Sequence, residues 1–465
     1  MLTEPAPWLP VALVMPVFVV LGLLAGVEPK FAIAAAFGLI FILAAVSDLA
    51  VGVALLVLIV FIESSSLPIS AAKSAGLVLV LAWVIHLSTK PSGSERLILA
   101  DLPGFSYLLT LFLGWVLLST TWAENTSDAL AQFSRFLLVS LLFVIVYTAI
   151  QTRRQVALVI GAFIAGTTYI AAYAMASRPS LDAVEAGEQG RLATAIADPN
   201  FLAAYLIAGI ALAGAGIVAA RGRPLLQLGA AGALGTCLAA FVLTGSRGGI
   251  VGFAVALITA VVVSGRWRGR TTLAVLAVVS LGISFYTVYA SPQVKDRIES
   301  ATQGEARSQE GRSTIWLVGW RMVEDNPIRG VGAGNFEDQS VKYVLEPGAT
   351  YRTDRVIDQP AVSHNSFLGP LAELGIVGAL LFVSIIGFSV TAAWRAAVRF
   401  ARAGDLPMEA LARGVIVASI GMLAAGFFIS AEASKQIWLL LALGPTLLAV
   451  AGAARAGSPR ANPAD

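Results

Sequence analysis

Long apolar runs, interrupted by short polar connections, make up most of the chain. A transmembrane helix needs about 20 consecutive residues that are mostly apolar. Two of the runs tolerate a single charge, at Arg135 and Glu373, and the second and third runs are short and adjacent. The pattern predicts an all-α integral membrane protein with about 12–14 transmembrane helices. The candidate runs are 8–26, 31–47, 49–62, 74–89, 102–120, 129–150, 156–177, 201–220, 224–246, 248–265, 271–291, 366–394, 414–430 and 436–454.

Lysine and arginine are concentrated in every second connection between these runs. Basic residues favour the cytoplasmic side of a membrane protein, so both termini are predicted to be cytoplasmic. No basic segment precedes the first run, which we therefore expect to be a membrane span rather than a cleaved signal peptide. The basic connections contain Lys90 and Arg96; Arg153 and Arg154; Arg221 and Arg223; Arg266, Arg268 and Arg270; Arg395, Arg399 and Arg402; and Arg455 and Arg460.

One connection, the polar interval 292–365, is far longer than the others, and the alternation puts it outside the cytoplasm. It separates eleven predicted spans in residues 1–291 from three in residues 366–455. Residues 456–465 then form a cytoplasmic tail. We expect the interval to be a helical loop that forms one wall of a site at the outer surface.

Two helices are predicted within this interval, at Gln293–Thr302 and Arg312–Asp325, and a glycine-rich turn follows at 330–336. Glycine allows the backbone of such a turn to approach another element closely. Ile315, Trp316 and Trp320 share one face of the second helix at helical spacing. We expect that face to rest on the bilayer interface, as tryptophan-bearing amphipathic helices do.

The composition agrees with a membrane protein and excludes several other classes. Of all residues, 57% are apolar and 13% are charged, whereas soluble domains carry roughly 25% charged residues. The net charge of +3 is small and distributed over short loops, which does not indicate a nucleic-acid-binding surface. Cys237 is the only cysteine, so an internal disulfide and a cysteine-ligated metal site are excluded.

His364 is the residue best suited to acid–base chemistry at the outer surface. It is one of only two histidines and comes two residues before an apolar helix. Imidazole gains and loses its proton near neutral pH, which suits a general base. The alternative is that the sequence Ser363-His364-Asn365 only caps the following helix. For Asn365, capping is favoured over orienting the imidazole.

Several arginines at the predicted outer surface are candidates for binding an anion. Arg247 follows Ser246 in a tight glycine-flanked turn, where backbone N–H groups and the guanidinium can face one phosphate. Arg312 opens the second outer helix, whose positive end would reinforce an anion site. Arg191 precedes the eighth span, and Arg135 lies near the outer end of the sixth. For each, the alternative is an ordinary solvated or snorkelling arginine.

Some absences bear on the chemistry. The sequence has no P-loop pattern, no Asp-x-Asp pair that would hold a metal with a nucleotide sugar, and no histidine-rich metal spacing. An enzyme acting outside the cytoplasm has no nucleotide sugars and needs a donor with its own activation. A polyprenyl diphosphate sugar is such a donor, and arginines with one histidine meet its needs without a metal or cofactor.

The chain resembles the O-antigen ligase and polymerase superfamily of bacterial polytopic membrane glycosyltransferases. The resemblance covers about residues 190 to 380 and depends on the order and spacing of short motifs that are individually weak. The N-terminal half matches only in hydropathy. The motifs are Arg191 with Asp198-Pro199-Asn200; Ser246-Arg247-Gly248; Gly311-Arg312 with Asn326-Pro327 and Gly330-Val331-Gly332-x-Gly334-x-Phe336; and His364-Asn365-Ser366-Phe367-Leu368 with Leu374-Gly375-Ile376-Val377-Gly378.

The resemblance implies an undecaprenyl diphosphate-linked glycan as donor and a site that faces the periplasm from the bacterial inner membrane. It implies that Arg247 and Arg312 bind the diphosphate, with Arg191 as a third candidate. His364 would accept the proton of the acceptor hydroxyl or position it, in a metal-independent inverting displacement.

Several functions remain alternatives at this point. A ligase would use lipid A-core as acceptor, whereas an O-antigen or exopolysaccharide polymerase would extend a lipid-linked chain; protein glycosylation is a third branch. A transporter or flippase for lipid-linked sugars is the alternative from another class. Transporters often have internal repeats with broken helices, and no such repeat is evident here.

Overall fold

The computed structural model describes residues 26, 28–63, 71–89, 96–177, 192–193, 198–290, 292, 295, 309–345 and 362–456. The regular secondary structure within these ranges is helical throughout, which confirms the predicted all-α class. The α-helices are α1 Pro29–Ser47, α2 Leu49–Ile62, α3 Ala71–Thr89, α4 Ile98–Asp101, α5 Pro103–Leu118, α6 Thr126–Ala149, α7 Arg153–Ser177, α8 Pro199–Ala219, α9 Pro224–Thr244, α10 Arg247–Val263, α11 Arg268–Tyr289, α12 Gln309–Asp325, α13 Phe336–Val344, α14 Leu368–Arg402, α15 Leu406–Ala425 and α16 Lys435–Ala456.

Thirteen of the fourteen predicted runs coincide with helices, namely α1–α3, α5–α11 and α14–α16. Ten helices in the described ranges are long and apolar enough to cross a membrane, and three more are shorter apolar helices. The second and third runs are separate helices, because Asp48 interrupts them and its side chain caps α2 at Ala50 N, 2.9 Å away. The first run, 8–26, lies outside the described residues apart from Gly26.

Helix α15 is the centre of the bundle and packs against α8, α10, α14 and α16. Helix α11 contacts α9 and α10 but has no buried residue, so it lies at the periphery. In a bilayer such an exposed apolar helix faces lipid.

Small residues allow α10 and α15 to approach closely. Gly248, Gly252 and Ala256 follow one another at four-residue spacing along α10. A Cβ added at Gly252 would lie 2.8 Å from Ala425 Cβ and 2.9 Å from Gly421 O on α15. This is the small-residue packing that brings membrane helices together in the absence of a hydrophobic driving force. It fixes the start of α10 against the end of α15.

Helix α14 is broken at Gly375, where φ is 64° and ψ is −171°. The break frees backbone carbonyl groups, and three of them find donors elsewhere. Val331 N donates to Ala372 O at 3.0 Å, Gly332 N to Glu373 O at 2.8 Å, and Trp115 Nε1 to Leu374 O at 2.8 Å. The glycine-rich turn of the outer interval is therefore attached to the break in a long helix.

That turn needs glycine for two physical reasons. Gly330, Gly332 and Gly334 all have positive φ, at 70°, 105° and 68°. A Cβ at Gly330 would also lie 2.4 Å from Glu373 O. The close backbone approach predicted from the sequence is present, and its partner is α14.

Helices α12 and α13 lie in the interval 292–365 and share a small core with the start of α14, formed by Val318, Met322, Phe336, Tyr343 and Ala372 among others. The predicted helix at Arg312–Asp325 exists and begins at Gln309. The predicted helix at Gln293–Thr302 falls on residues that are mostly outside the described ranges.

The expectation that one face of α12 rests on the bilayer is wrong for two of its three residues. Ile315 packs against the small core, and the Trp316 ring lies 6.1 Å from the Phe428 ring, centroid to centroid. Only Trp320 is exposed, at 52%. Helical spacing correctly grouped these side chains, but most of the face packs against protein.

Candidate functional site

His364 lies in a short loop that leads into α14, and its backbone is in the left-handed region with φ 46°. Such a conformation is uncommon outside glycine and persists only where neighbouring groups enforce it. Asn365 Oδ1 accepts hydrogen bonds from Phe367 N at 2.9 Å and Leu368 N at 3.1 Å. Asn365 thus caps α14, the role that the sequence favoured for it, and fixes the backbone next to His364.

Ser366 anchors the same loop to the connection between α15 and α16. Ser366 N donates to Gly426 O at 2.8 Å, and Ser366 Oγ donates to Ile429 O at 2.7 Å. The Ser366 hydroxyl also accepts from Ala431 N at 2.8 Å. His364 is therefore held on both sides by a buried hydrogen-bonded framework, while its own side chain is only half-buried.

Two charged residues from distant parts of the chain act on the imidazole. Burial lowers the pKa of His364 below its ordinary value, and the positive charge of Arg312 lowers it further. The carboxylate of Asp198 acts in the opposite direction. The imidazole is therefore neutral at pH 7 and can accept a proton.

Asp198 and Asn200 connect this histidine to the start of α10. Asp198 Oδ1 caps α8 by accepting from Asn200 N at 2.7 Å and Phe201 N at 3.1 Å. Asn200 Oδ1 in turn accepts from Ser246 Oγ at 2.8 Å. The two motifs are 46 residues apart in sequence and form one hydrogen-bonded unit in the structure.

Arg247 is the first residue of α10 and is half-buried. Gly245 precedes it in a left-handed conformation with φ 55°, and Ser246 Oγ accepts from Gly249 N at 3.1 Å to cap the helix. This turn places Arg247 at the positive end of α10, an arrangement suited to an anion.

Phe428 lies between the turn of Arg247 and the helix of Arg312. A Cβ at Gly248 would lie 2.6 Å from Phe428 Cβ, and the Phe428 ring contacts Trp316 on α12. Arg312 precedes Trp316 by four residues, so both side chains lie on one face of α12. The contacts of Phe428 and of His364 thus bring the elements that carry Arg247, Arg312 and His364 to one end of the bundle.

An apolar cavity of about 300 Å³ opens directly below Gly245 and Ser246. Helices α9, α10 and α11 form it, with Phe241, Ile250 and Ile283 among its lining residues. An apolar cavity therefore begins beside the turn that carries Arg247.

The other predicted arginines of the site are Arg191 and Arg135. Arg191 lies outside the described residues. Arg135, on α6, donates to Gln132 Oε1 at 3.2 Å, and its charge acts on Glu373 and Glu432. It therefore belongs to a separate polar cluster formed by Arg135, Glu373 and Glu432.

Sequence reasoning missed this acidic cluster. Glu373 Oε2 accepts from Gly334 N at 2.8 Å and Oε1 from Phe336 N at 3.3 Å, so its carboxylate holds the glycine-rich turn. Burial raises the pKa of Glu432, in the connection before α16, to about 7. A single carboxylate in an apolar run was the available signal for Glu373. Nothing local to Glu432 indicated its role.

Comparison with known proteins adds a family to this geometry. Residues 232–383 match the model of the O-antigen ligase family. The match includes Ser246, Arg247, Arg312 and His364 and ends before Glu432. No curated protein matches the chain. The resemblance to the O-antigen ligase and polymerase superfamily is confirmed over these residues.

Proposed function

We propose that this member of the O-antigen ligase and polymerase superfamily transfers a polyprenyl diphosphate-linked glycan onto an acceptor hydroxyl at the periplasmic face of the bacterial inner membrane. The family match supports a membrane glycosyltransferase in general terms. One observation carries the finer proposal: His364, Arg312 and the unit from Asp198 to Arg247 meet at one end of the bundle, above an apolar cavity.

Arg247 and Arg312 bind the donor diphosphate in this proposal. Each begins a helix or lies in its first turn, so backbone N–H groups and a guanidinium can address the same anion. Arg191 is proposed as a third diphosphate ligand. The leaving diphosphate gains negative charge as the glycosidic bond breaks, and preorganised cations stabilise that charge best where water is scarce.

The polyprenyl chain of the donor is proposed to enter the apolar cavity below Ser246. The lining is almost wholly hydrocarbon, and the cavity begins at the turn that carries Arg247. A lipid bound there would have its diphosphate beside the guanidinium and its tail between α9, α10 and α11. This arrangement suits a lipid-linked donor better than a soluble one.

His364 is proposed to act on the acceptor. The acceptor oxygen forms a bond to the anomeric carbon, the bond from that carbon to the diphosphate oxygen breaks, and polyprenyl diphosphate leaves with the bonding electrons. The acceptor proton goes to the neutral imidazole of His364. Attack opposite to the leaving group inverts the anomeric centre. Neither metal nor cofactor takes part in these steps.

Substitution of His364 and Arg247 tests the proposal. Glycan transfer is measured with purified protein, a lipid-linked donor and an acceptor, and surface glycan is measured in cells at matched protein levels. Loss of a preorganised contact to developing charge costs about 2.7–4 kcal/mol, so Arg247→Ala is expected to reduce transfer about 100- to 1,000-fold. Loss of a general base is expected to reduce transfer about 100- to 10,000-fold in His364→Ala. His86→Ala, which removes the other histidine, and Arg268→Ala, which removes an exposed arginine, are the matched controls.

Unchanged transfer in His364→Ala would overturn the proposed base, and unchanged transfer in both variants would overturn the site. A protein that only moves lipid-linked glycan across a membrane would give no product in detergent.

We propose lipid A-core as the acceptor, which makes the enzyme a ligase, and the glycan profile of a deletion strain tests this choice. Accumulation of finished lipid-linked polymer with loss of long surface chains supports a ligase. Accumulation of single lipid-linked units instead identifies a polymerase of the same superfamily.

A further inference from the structure

A second cavity lies at the end of the bundle opposite to His364, and the proposed transfer reaction makes no use of it. Helices α8, α10, α11 and α15 enclose about 580 Å³ between them, which is within the range of about 300–1,000 Å³ typical of ligand sites. Most of the lining is apolar, including Ile210, Phe253, Leu257 and Val275. Its end near the α10–α11 connection is lined instead by Arg221, Trp267, Arg270 and Arg413.

Three arginines surround a single tryptophan at this end. The guanidinium carbons of Arg221, Arg266 and Arg270 lie 5.8, 5.4 and 4.9 Å from the centroid of the Trp267 ring. We call these four residues the arginine cluster. Each guanidinium group is attracted electrostatically to the face of the Trp267 ring, but the three positive charges also repel one another.

The carboxylates nearby do not balance this charge. Glu409 is 1% exposed and pairs with Arg266 at 3.2 Å and Arg413 at 2.8 Å. Arg221 and Arg270 have no carboxylate partner within 4.0 Å in the part of the chain that the structure describes. Four guanidinium groups therefore share one carboxylate.

The tryptophan itself provides a second, independent observation. Trp267 Nε1 is buried and has no hydrogen-bond partner among the described residues. A buried polar atom without a partner is costly, so in native structures it calls for an explanation such as an ordered water or an ion. The Trp267 side chain thus lines the end of the apolar cavity together with two guanidinium groups that have no carboxylate partner among the described residues.

We propose that this cavity binds an anionic diacyl phospholipid. The acyl chains lie in the apolar part, and the headgroup phosphate accepts hydrogen bonds from Arg221 and Arg270, whose guanidinium groups lie beside the Trp267 ring. Basic pockets between transmembrane helices at the cytoplasmic surface recognise anionic lipid headgroups, and the basic connections predict that this end is cytoplasmic.

The donor tail is the competing occupant, because this cavity lies next to the one below Ser246. Phe253, Leu257 and Val278 line both. The far end of a polyprenyl chain is an uncharged hydrocarbon, which offers no acceptor to Arg221, Arg270 or the indole. The phosphate of a phospholipid from the cytoplasmic leaflet offers acceptors to these arginines. Charge complementarity therefore favours the phospholipid.

Binding is tested by native mass spectrometry of the delipidated full-length protein, without reference to transfer activity. The protein is titrated with phosphatidylglycerol, with phosphatidylcholine of the same acyl chains, and with undecaprenol, the polyprenyl chain without a phosphate, as competitor. The double variant Arg221→Gln/Arg270→Gln is compared with Arg268→Gln, an exposed arginine of the same connection that does not line the cavity.

We expect phosphatidylglycerol to bind more tightly than phosphatidylcholine. Each arginine near an anionic headgroup contributes about 1 kcal/mol, about a 5-fold change, so the double variant should weaken phosphatidylglycerol about 30-fold. Arg268→Gln should leave the affinity unchanged, and undecaprenol should not displace the phospholipid. Equal affinity for the two phospholipids, no loss in the double variant, or displacement by undecaprenol would each overturn the proposal. Thermal unfolding of every variant without lipid checks that each is folded.

Discussion

The hydroxyl of Ser246 donates a 2.8 Å hydrogen bond to Asn200 Oδ1 and so joins the start of α10 to the start of α8. The same hydroxyl caps α10 by accepting from Gly249 N. Asp198, which acts electrostatically on His364, is at one end of this unit, and Arg247 is at the other. One connected set of hydrogen bonds thus positions both the proposed diphosphate ligand and the carboxylate that acts on the proposed base.

Ser246→Ala should therefore impair glycan transfer more than it impairs folding. Loss of a helix cap costs about 1 kcal/mol of stability. The variant also loses the hydrogen bond to Asn200 Oδ1 that holds the turn carrying Arg247. Ser264→Ala is the matched control, because Ser264 is buried at the other end of α10 and donates to Val261 O at 2.7 Å. Transfer rate and melting temperature are measured for both.

We expect a similar fall in melting temperature for both serine variants and a loss of transfer only for Ser246→Ala. Equal transfer in the two would contradict the positioning role of Ser246.

The charges around His364 predict opposite shifts in the pH dependence of transfer. A base must be neutral, so kcat/KM should fall as the pH decreases through the pKa of His364, which lies below its ordinary value. Arg312→Gln removes a cation that lowers this pKa, so the acid limb should move to higher pH. Asp198→Asn removes an anion that raises it, so the acid limb should move to lower pH.

Asparagine caps helices about as well as aspartate, so Asp198→Asn changes the charge while α8 keeps its cap. The pH profiles of kcat/KM are compared by the pH at which the acid limb falls and not by the maximal rate. The maximal rate is unsuitable because Arg312 is also a proposed ligand of the diphosphate. Shifts in the same direction, or no shift in either variant, would rule out His364 as the titrating group.

The contact of α10 with α15 predicts that Gly252 tolerates no larger residue. A Cβ there would lie 2.8 Å from Ala425 Cβ, and both neighbouring atoms belong to helix backbone or to its first carbon. Gly252→Ala should cost about 1–3 kcal/mol through overpacking and should lower transfer, because the helices must separate below Arg247.

Gly229 on α9 is the matched control, since nothing lies within 4 Å of a Cβ added there. Gly229→Ala should leave transfer unchanged and raise stability by up to about 1 kcal/mol. Thermal unfolding in detergent and the transfer assay measure both effects. Equal stability of the two variants would show that the helix contact is not tight.

The transmembrane helices could be predicted from the sequence because hydropathy is local and the bilayer fixes the length of a span. The motifs around Arg247 and His364 could be recognised for the same reason, because each is a short stretch of neighbouring residues. The contacts that these residues make with distant parts of the chain could not be predicted in this way. The charges of Asp198 and Arg312 act on His364 although these residues are 166 and 52 positions away in the sequence. Phe428 packs between two elements whose proximity no sequence spacing indicates.

Arg135 is the clearest example of a residue whose contacts could not be predicted from the sequence. Its position in an apolar span indicated that it snorkels or faces a polar group, but not which group. Its neighbours come from the broken part of α14 and from the connection before α16. The break at Gly375 decides this arrangement, and a glycine inside a long apolar run does not indicate whether the helix is broken there.

The carboxyl of Glu432 makes the stability of the protein depend on pH. Its pKa is about 7 in the folded protein because burial disfavours the charged form, and its Oε2 has no hydrogen-bond partner in the described residues. In the unfolded chain the same carboxyl has a pKa of about 4.3. Between these values the folded protein binds more protons, so this group's contribution to stability is fully present below about pH 4.3 and is lost as the pH rises to about 7.

Glu432→Gln cannot ionise and should remove this loss. The melting temperature of the variant minus that of the wild type should therefore increase from pH 5 to pH 7.5, and a constant difference would contradict the burial of an ionisable Glu432. Glu337→Gln, which removes an exposed carboxylate of α13, is the control.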